Sequence, residues 1–184
     1  MAPAASGRPA PARVLNAAAA RAAERVDRED ALQEFAGPVL DQLNRALILN
    51  PESHETHLIV ALAHLQRGDL DAAETSLRET LTLRIDDTAA LAALALVHMR
   101  RGAVDEARGI EKHMRALAAA RYVSPADFAK LYVDLDETDL LFEWMERAYA
   151  ERRGWLAYLR VEPLLDSVRD DPRFGLFLER MRLT

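Results

Sequence analysis

Apolar residues recur every three or four positions along most of this chain, which is the spacing of one face of an α-helix. Alanine and leucine, two strong helix formers, dominate these stretches, and the alternating pattern of a strand is absent. The stretch AHLQRGDLDAAETSL, residues 63–77, has helical spacing on both sides of a Gly-Asp pair. The pattern therefore predicts an almost entirely helical, all-α protein whose helices are separated by short joints.

The joint at Gly68 recurs at Gly102, 34 residues later. The same separation relates His64 to His98, Arg67 to Arg101, and Asp71 to Asp105. Laid out at this period, the chain divides into four units near residues 20–53, 54–87, 88–121 and 122–153. A repeat of this length is typical of pairs of antiparallel helices. We therefore interpret each glycine as a joint between two helices and not as a site.

Small residues keep their places from unit to unit. One position of the first helices holds Ala61, Ala95 and Ala129, and the second helices open at Ala73 and Ala107. A larger side chain at these positions would force neighbouring backbones apart. In these positions and joints, the chain resembles the tetratricopeptide repeat family over roughly residues 20–153. The resemblance implies a right-handed α-α superhelical solenoid of about four helix pairs.

Two units depart from the family pattern. In the first unit, Asp27 and Asp30 stand where small or aromatic residues are usual, so we expect an irregular N-terminal cap. The second helix of that unit is predicted to pack through Val39, Leu43, Ala46, Leu47 and Leu49. In the fourth unit, Asp136 replaces the turn glycine and Leu141 replaces a small residue, so we expect different packing there.

Capping residues mark several helix starts. Ser53 follows Asn50-Pro51 and is predicted to cap the next helix. Ser124-Pro125 predicts another start, and we interpret Asp127 as a first-turn acid that the helix dipole favours.

The two ends of the chain are predicted to lie outside the repeats. Residues 1–12 have the composition of a disordered Pro/Ala-rich tail, and the solenoid is assigned to residues 13–153. Residues 154–184 are predicted to form a C-terminal capping segment and helix, starting at Asp171-Pro172. The apolar residues of this helix are Phe174, Phe177, Leu178 and Met181. Most of the nearby aromatic residues are expected to join it to the last repeat: Trp144, Tyr149, Trp155, Tyr158, Phe174 and Phe177.

The C-terminal part carries a second resemblance. The stretches YVSPADFAKLY, FEWMERAYAERRGWLAYL and DDPRF, within residues 122–183, are similar to the ends of tetratricopeptide regions in bacterial signalling proteins. The other end of those proteins is a winged-helix DNA-binding, adenylate-cyclase or serine/threonine-kinase domain. This resemblance implies an alternative function, as a regulatory or sensor subunit of a bacterial signalling enzyme or transcription regulator.

Composition narrows the functional classes. The 184-residue chain contains no cysteine, which excludes disulfides, thiolate catalysis and cysteine-based zinc sites. A formal net charge of −6 argues against general nucleic-acid binding, and no apolar run is long enough to cross a membrane. We therefore expect a protein or peptide as partner, no nucleic acid, no membrane, and a cytoplasmic location.

The histidines are the first candidates for chemistry. His54, His57 and His64 could share a helix face and hold a metal. His57, His64 and His98, however, fall at positions that pack between helices, which favours partly buried imidazoles with structural roles. His113 is expected to be isolated and exposed.

The acidic cluster Asp134, Asp136, Glu137 and Asp139 is the second candidate. It lacks the glycine and the glutamate that a calcium loop requires, so we interpret it as a solvated turn followed by a helix start. The sequence contains no phosphate-binding loop, nucleophile elbow or supported acid pair. It therefore predicts a non-catalytic protein without metal or cofactor.

The resemblance implies that the first helix of each unit lines a concave groove. The groove positions are Glu55, Leu58, Leu62, Leu65 and Gln66, then Ala89, Ala92, Leu96, Met99 and Arg100, then Ala126, Lys130, Val133 and Asp134. We expect an exposed apolar row of Leu58, Leu62, Leu65, Leu96 and Met99. Such a trough favours a peptide or an amphipathic helix of a partner, to which the flexible Met99 can adapt.

Two other occupants of this groove remain open. Residues 13–35 could fold into it as a self-ligand, or two copies could bury their grooves against each other as a homodimer. A third mode is disfavoured, because family members that clamp a C-terminal carboxylate use Lys and Asn where this chain has Leu58 and Leu62.

Overall fold

The structure, a computed structural model, describes residues 37–133, 135 and 137–183. All regular secondary structure in these residues is helical, which confirms the predicted all-α class. The helices are α1 (37–49), α2 (His54–Arg67), α3 (Leu70–Leu83), α4 (Thr88–Arg100), α5 (Val104–Ala120), α6 (Pro125–Tyr132), α7 (Thr138–Ala150) and α8 (Pro172–Met181). Two 3-10 helices, Gly154–Tyr158 and Pro163–Val168, lie between α7 and α8. The predictions for residues 1–12 and 13–35, and for Asp134 and Asp136, fall outside the described residues.

Both glycine joints are confirmed. α2 ends at Arg67 and α3 begins at Leu70, and Gly68 between them has a φ of +78°. Gly102, after α4, has a φ of +75°. Glycine enters this left-handed region without the penalty that a Cβ atom brings, which is why these two positions end helices so sharply.

Consecutive helices pack as pairs: α2 with α3, α4 with α5, and α6 with α7. In each pair, the start of the first helix contacts the end of the second, so the two helices are antiparallel. The contacts are His54 with Arg84, Asp86 with Arg121, and Tyr122 with Glu151. Because α4 also packs against α3 and α6, the pairs lie side by side in chain order.

Small residues lie where these helices approach most closely. The predicted small positions are all buried: Ala61, Ala73, Ala95, Ala107 and Ala129. The predicted cap is also confirmed, because the Ser53 hydroxyl accepts a hydrogen bond of 3.2 Å from the Thr56 backbone N–H. Packing between pairs therefore follows the residues that the 34-residue period singles out.

The predicted packing face of α1 is partly wrong. Val39, Ala46 and Leu49 are exposed, whereas Leu40 is buried. Their counterparts one repeat later in α3 include Ala73 and Thr80, which are buried because α3 packs against both α2 and α4. The period repeats the residue pattern, but burial depends on the helices that flank each element.

The C-terminal helix α8 packs along α7. Phe174 and Phe177 are buried as predicted, and the Phe177 ring meets the Tyr149 ring edge-on at 5.9 Å. Two ion pairs of 2.6 Å add to this contact, Arg173 with Asp139 and Arg180 with Glu146. The two acids, Asp139 and Glu146, are seven residues apart in α7, and the two arginines are seven residues apart in the same order in α8. The two helices therefore run parallel. Tyr158, one of the six aromatic residues considered for this contact, is exposed.

Candidate partner-binding groove

The predicted groove residues lie on three first helices and one turn. α2 carries Glu55 to Gln66, α4 carries Ala89 to Arg100, and α6 with the turn after it carries Ala126, Lys130 and Val133. One hydrogen bond joins the first two helices directly, because the Arg100 guanidinium donates to the Leu65 carbonyl at 3.0 Å. The structure therefore brings the α2 and α4 parts of the groove together.

The exposure of these residues differs from the expected apolar row. Glu55, Leu62, Gln66 and Arg100 are exposed, and Leu58, Ala89, Met99 and Lys130 are partly buried. Ala92, Ala126 and Val133 are buried. The expectation of exposure is wrong for Leu65 and Leu96, whose side chains are buried with exposed fractions of 4% and 9%. Leu62, at 41%, is the most exposed member of the predicted row.

The chain's own C-terminal segment packs against the clusters that contain these buried residues. Leu164 packs against the core cluster of α2, α3 and α4 side chains that includes Leu65 and Leu96. It also packs against the second cluster, which contains Ala92 and Val133. Beside it, the Lys130 ammonium lies over the Trp155 ring, 5.4 Å from its centroid. The segment after α7 therefore contacts Lys130 and the clusters that contain other predicted groove residues of α4 and α6.

Sequence reasoning missed Ile59, an exposed apolar residue on α2 three positions before Leu62. Residues three apart are neighbours on a helix surface, so Ile59 extends the exposed apolar area around Leu62. Its counterpart one repeat later is Ala93, which is buried against the α2–α4 packing. Because the equivalent position of the next unit is buried, the repeat pattern did not predict that Ile59 would be exposed.

Asp127 forms a buried polar contact between the starts of α4 and α6. Its carboxylate accepts a hydrogen bond of 2.6 Å from the Thr88 hydroxyl, and the residue is only 9% exposed. Burial raises the pKa of the Asp127 carboxyl, although the Thr88 hydrogen bond and the nearby Lys130 charge oppose the change. Asp127 is therefore a first-turn acid as predicted, but its burial and its hydrogen bond to Thr88 were not expected from the sequence.

We expect the free energy of unfolding of Asp127→Asn, relative to that of wild type, to increase as pH rises. The pKa of Asp127 is higher in the folded chain than its unfolded value of about 3.9, so the folded state binds more protons between these two values. Wild-type stability therefore falls as pH rises through this window, and asparagine removes that dependence. A difference of one between the two pKa values corresponds to about 1.4 kcal/mol.

Urea unfolding at pH values from 4 to 7 measures this difference. Asp105→Asn, which changes an exposed first-turn acid of α5, is the matched control. A difference between Asp127→Asn and wild type that stayed constant across this range would contradict the assignment.

The remaining polar candidates have structural partners. His57 Nε2 lies 2.9 Å from the Pro51 carbonyl oxygen, and His57, His64 and His98 are partly buried as predicted. His113 is exposed but not isolated, because its Nε2 lies 2.7 Å from Asp86.

The described acids of the predicted turn form ion pairs of 2.6 Å, Glu137 with Arg108 and Asp139 with Arg173. Within the residues that the structure describes, no group of three or more potential ligands could hold a metal ion.

Among the helices of the described ranges, none combines the length and the apolar character needed to cross a membrane.

Comparison with known proteins adds no family to this picture. No protein-family model, curated protein or solved structure matches the chain.

Proposed function

We propose that this chain is a non-catalytic protein-interaction module, a solenoid of tetratricopeptide-like helix pairs that binds a peptide or an amphipathic helix of a partner protein. The observation that carries the proposal is the exposure of Leu62 in the centre of the predicted groove face of α2. Leu58 and Met99 are partly exposed at other predicted groove positions, Leu58 one helical turn before Leu62 on α2 and Met99 in the last turn of α4. The proposed contact area is therefore the α2–α4 part of the groove.

The geometry of α2 and α4 supports a preformed contact surface. The hydrogen bond from Arg100 to the Leu65 carbonyl links the two helices beside the exposed Leu62. A groove whose walls are already linked loses less conformational freedom on binding, which favours affinity. Helix-in-groove recognition uses such apolar anchors, and the unbranched Met99 side chain can adjust to the shape of its ligand.

A polar residue at one end of the exposed area suggests one feature of the ligand. Glu55 lies exposed in the first turn of α2, two helical turns before Leu62 and therefore on the same face of the helix. A bound amphipathic helix would place a basic residue near Glu55. Such a rim charge contributes to specificity and to association rate more than to affinity.

Leu62→Glu is expected to reduce partner capture at least tenfold, because it places a charge at the centre of the apolar contact. The measurement is quantitative affinity purification with mass spectrometry, which compares wild type with the variant. Leu96→Glu is not suitable as a test, because Leu96 is buried and the substitution would destabilise the fold.

Val104→Glu is the matched control. Val104 is 45% exposed, close to the 41% of Leu62, but it lies in the first turn of α5. Proteins captured by wild type and by Val104→Glu, but lost with Leu62→Glu, would be the groove partners. Equal capture by all three forms would contradict the proposed site, provided that circular dichroism shows unchanged helical content.

A further inference from the structure

The segment that contains the two 3-10 helices, residues 154–168, has two classes of apolar side chain. Leu156, Leu159, Leu165 and Val168 are buried and belong to the core cluster that also contains side chains of α6, α7 and α8. These four residues anchor the segment. Trp155 and Leu164 are instead only partly buried.

Trp155 and Leu164 are partly exposed side chains of this segment that lie beside predicted groove residues or the clusters that contain them. Trp155 lies against Lys130, and Leu164 packs against the cluster that contains Leu96. The Trp155 indole N–H also donates to the Glu162 carboxylate at 3.1 Å, which ties Trp155 to the turn that precedes Leu164.

One arginine holds this turn in place. The Arg169 guanidinium donates to the carbonyl oxygens of Arg160 and Glu162, each at 2.9 Å, and forms an ion pair with Asp166. All three contacts lie within residues 160–169. Arg169 therefore holds the turn that carries Leu164, which packs against both core clusters.

We propose that Trp155 and Leu164 form an intramolecular plug that covers the α4–α6 part of the groove, and that Arg169 is its latch. The buried anchors keep the segment attached, whereas the two partly exposed side chains can move when the turn opens. A partner segment that presents one aliphatic and one aromatic side chain would displace them and gain access to the Leu96 region. This inference rests on the proposed function, because it assigns a regulation to the same groove.

Because the chain has no cysteine, single introduced thiols can report local opening. Leu96→Cys places a thiol in the cluster that Leu164 packs against. Leu77→Cys places a thiol at a fully buried position of α3, where alkylation reports opening of the core. Each reporter is combined with one of three further substitutions. Leu164→Ala removes the plug side chain, Arg169→Gln weakens the latch, and Val161→Ala is the control. Val161 is exposed and lies in the same turn.

The measurement is the rate of alkylation by iodoacetamide on the full chain. We expect Leu164→Ala and Arg169→Gln to accelerate alkylation of Leu96→Cys at least tenfold, with no comparable change for Leu77→Cys or with Val161→Ala. Unchanged alkylation of Leu96→Cys, or equal acceleration at both reporters, would overturn the plug.

Partner capture separates failure of the plug from failure of the proposed function. Leu164→Ala is expected to increase capture of those proteins that Leu62→Glu loses. Unchanged alkylation together with Leu62-dependent capture would overturn the plug and leave the groove supported. Accelerated alkylation without any Leu62-dependent capture would support the plug geometry and contradict both the proposed function and the regulation by a partner.

Discussion

Phe128→Ala is expected to lower the free energy of unfolding by about 3–5 kcal/mol, the range for removing a buried aromatic side chain. The Phe128 ring is buried and stacks on Trp144 of α7, with ring centroids 4.2 Å apart and an angle of 16° between the planes. Phe128 and Tyr132 are the two largest fully buried side chains of the short helix α6. The loss would be roughly 30–50% of a stability of about 10 kcal/mol, within the ordinary range for a domain.

Urea denaturation followed by circular dichroism at the helical minimum tests this expectation. Tyr158→Ala, which removes an exposed aromatic ring, is the control and should change stability by less than about 0.5 kcal/mol. A loss below about 1 kcal/mol for Phe128→Ala would show that the aromatic stack between α6 and α7 contributes little to the fold.

The joints and helix contacts could be predicted because they depend on local properties of the chain. Gly68 and Gly102 adopt positive φ within the helix pairs, and glycine is the residue best suited to that geometry. Ala61 and Ala129 are small where backbones approach, a requirement that repeats with each pair. Local sterics and a fixed period are both visible in one sequence.

The packing of the C-terminal segment against the α2–α4 cluster could not be predicted from the same pattern. The resemblance places Leu96 among the expected groove residues, but the repeat period contains no information on residues that come after the last repeat. Leu164 lies in a 3-10 helix, a short element without the 3.6-residue periodicity that marks an α-helix. Its contact with the α2–α4 cluster joins residues distant in the chain, and therefore appeared only in the structure.

Asp127 shows a similar limit. The sequence around it, Ser-Pro-Ala-Asp, is typical of a helix start, and the helix does begin at Pro125. Its burial depends on Thr88, a residue of the preceding pair that lies 39 positions earlier and donates a hydrogen bond to it. A helix-start motif predicts the backbone, whereas the environment of the side chain is set by the neighbouring helix.

Ala107→Leu is expected to destabilise the protein by about 1–3 kcal/mol, or more if the helices separate, because it adds volume to a packed core. Ala107 is buried near the start of α5 and belongs to the same cluster as Ala92 and Ala95 of α4. An isobutyl group there would push α5 away from α4, and that displacement would pass to α6, which also packs on α4.

Leu141, one repeat later, shows why the cost depends on the neighbouring helix and not on the position alone. It is a buried leucine near the start of α7, where the family pattern favours a small residue. α6 ends at Tyr132, two residues before the place 34 positions beyond the end of α4 at Arg100. The first helices that pair with α5 and α7 therefore end at different points relative to Ala107 and Leu141.

Ala116→Leu on the same helix provides the matched control, because Ala116 is exposed and the same atoms are added without a steric conflict. Thermal and urea unfolding of the two variants would separate packing from helix propensity, since both substitutions replace alanine by leucine within α5. We expect Ala116→Leu to change stability by less than about 0.5 kcal/mol. An equally small effect of Ala107→Leu would show that α4 and α5 can move apart without loss of stability. The close approach of helices at the small positions would then not determine how the pairs are arranged.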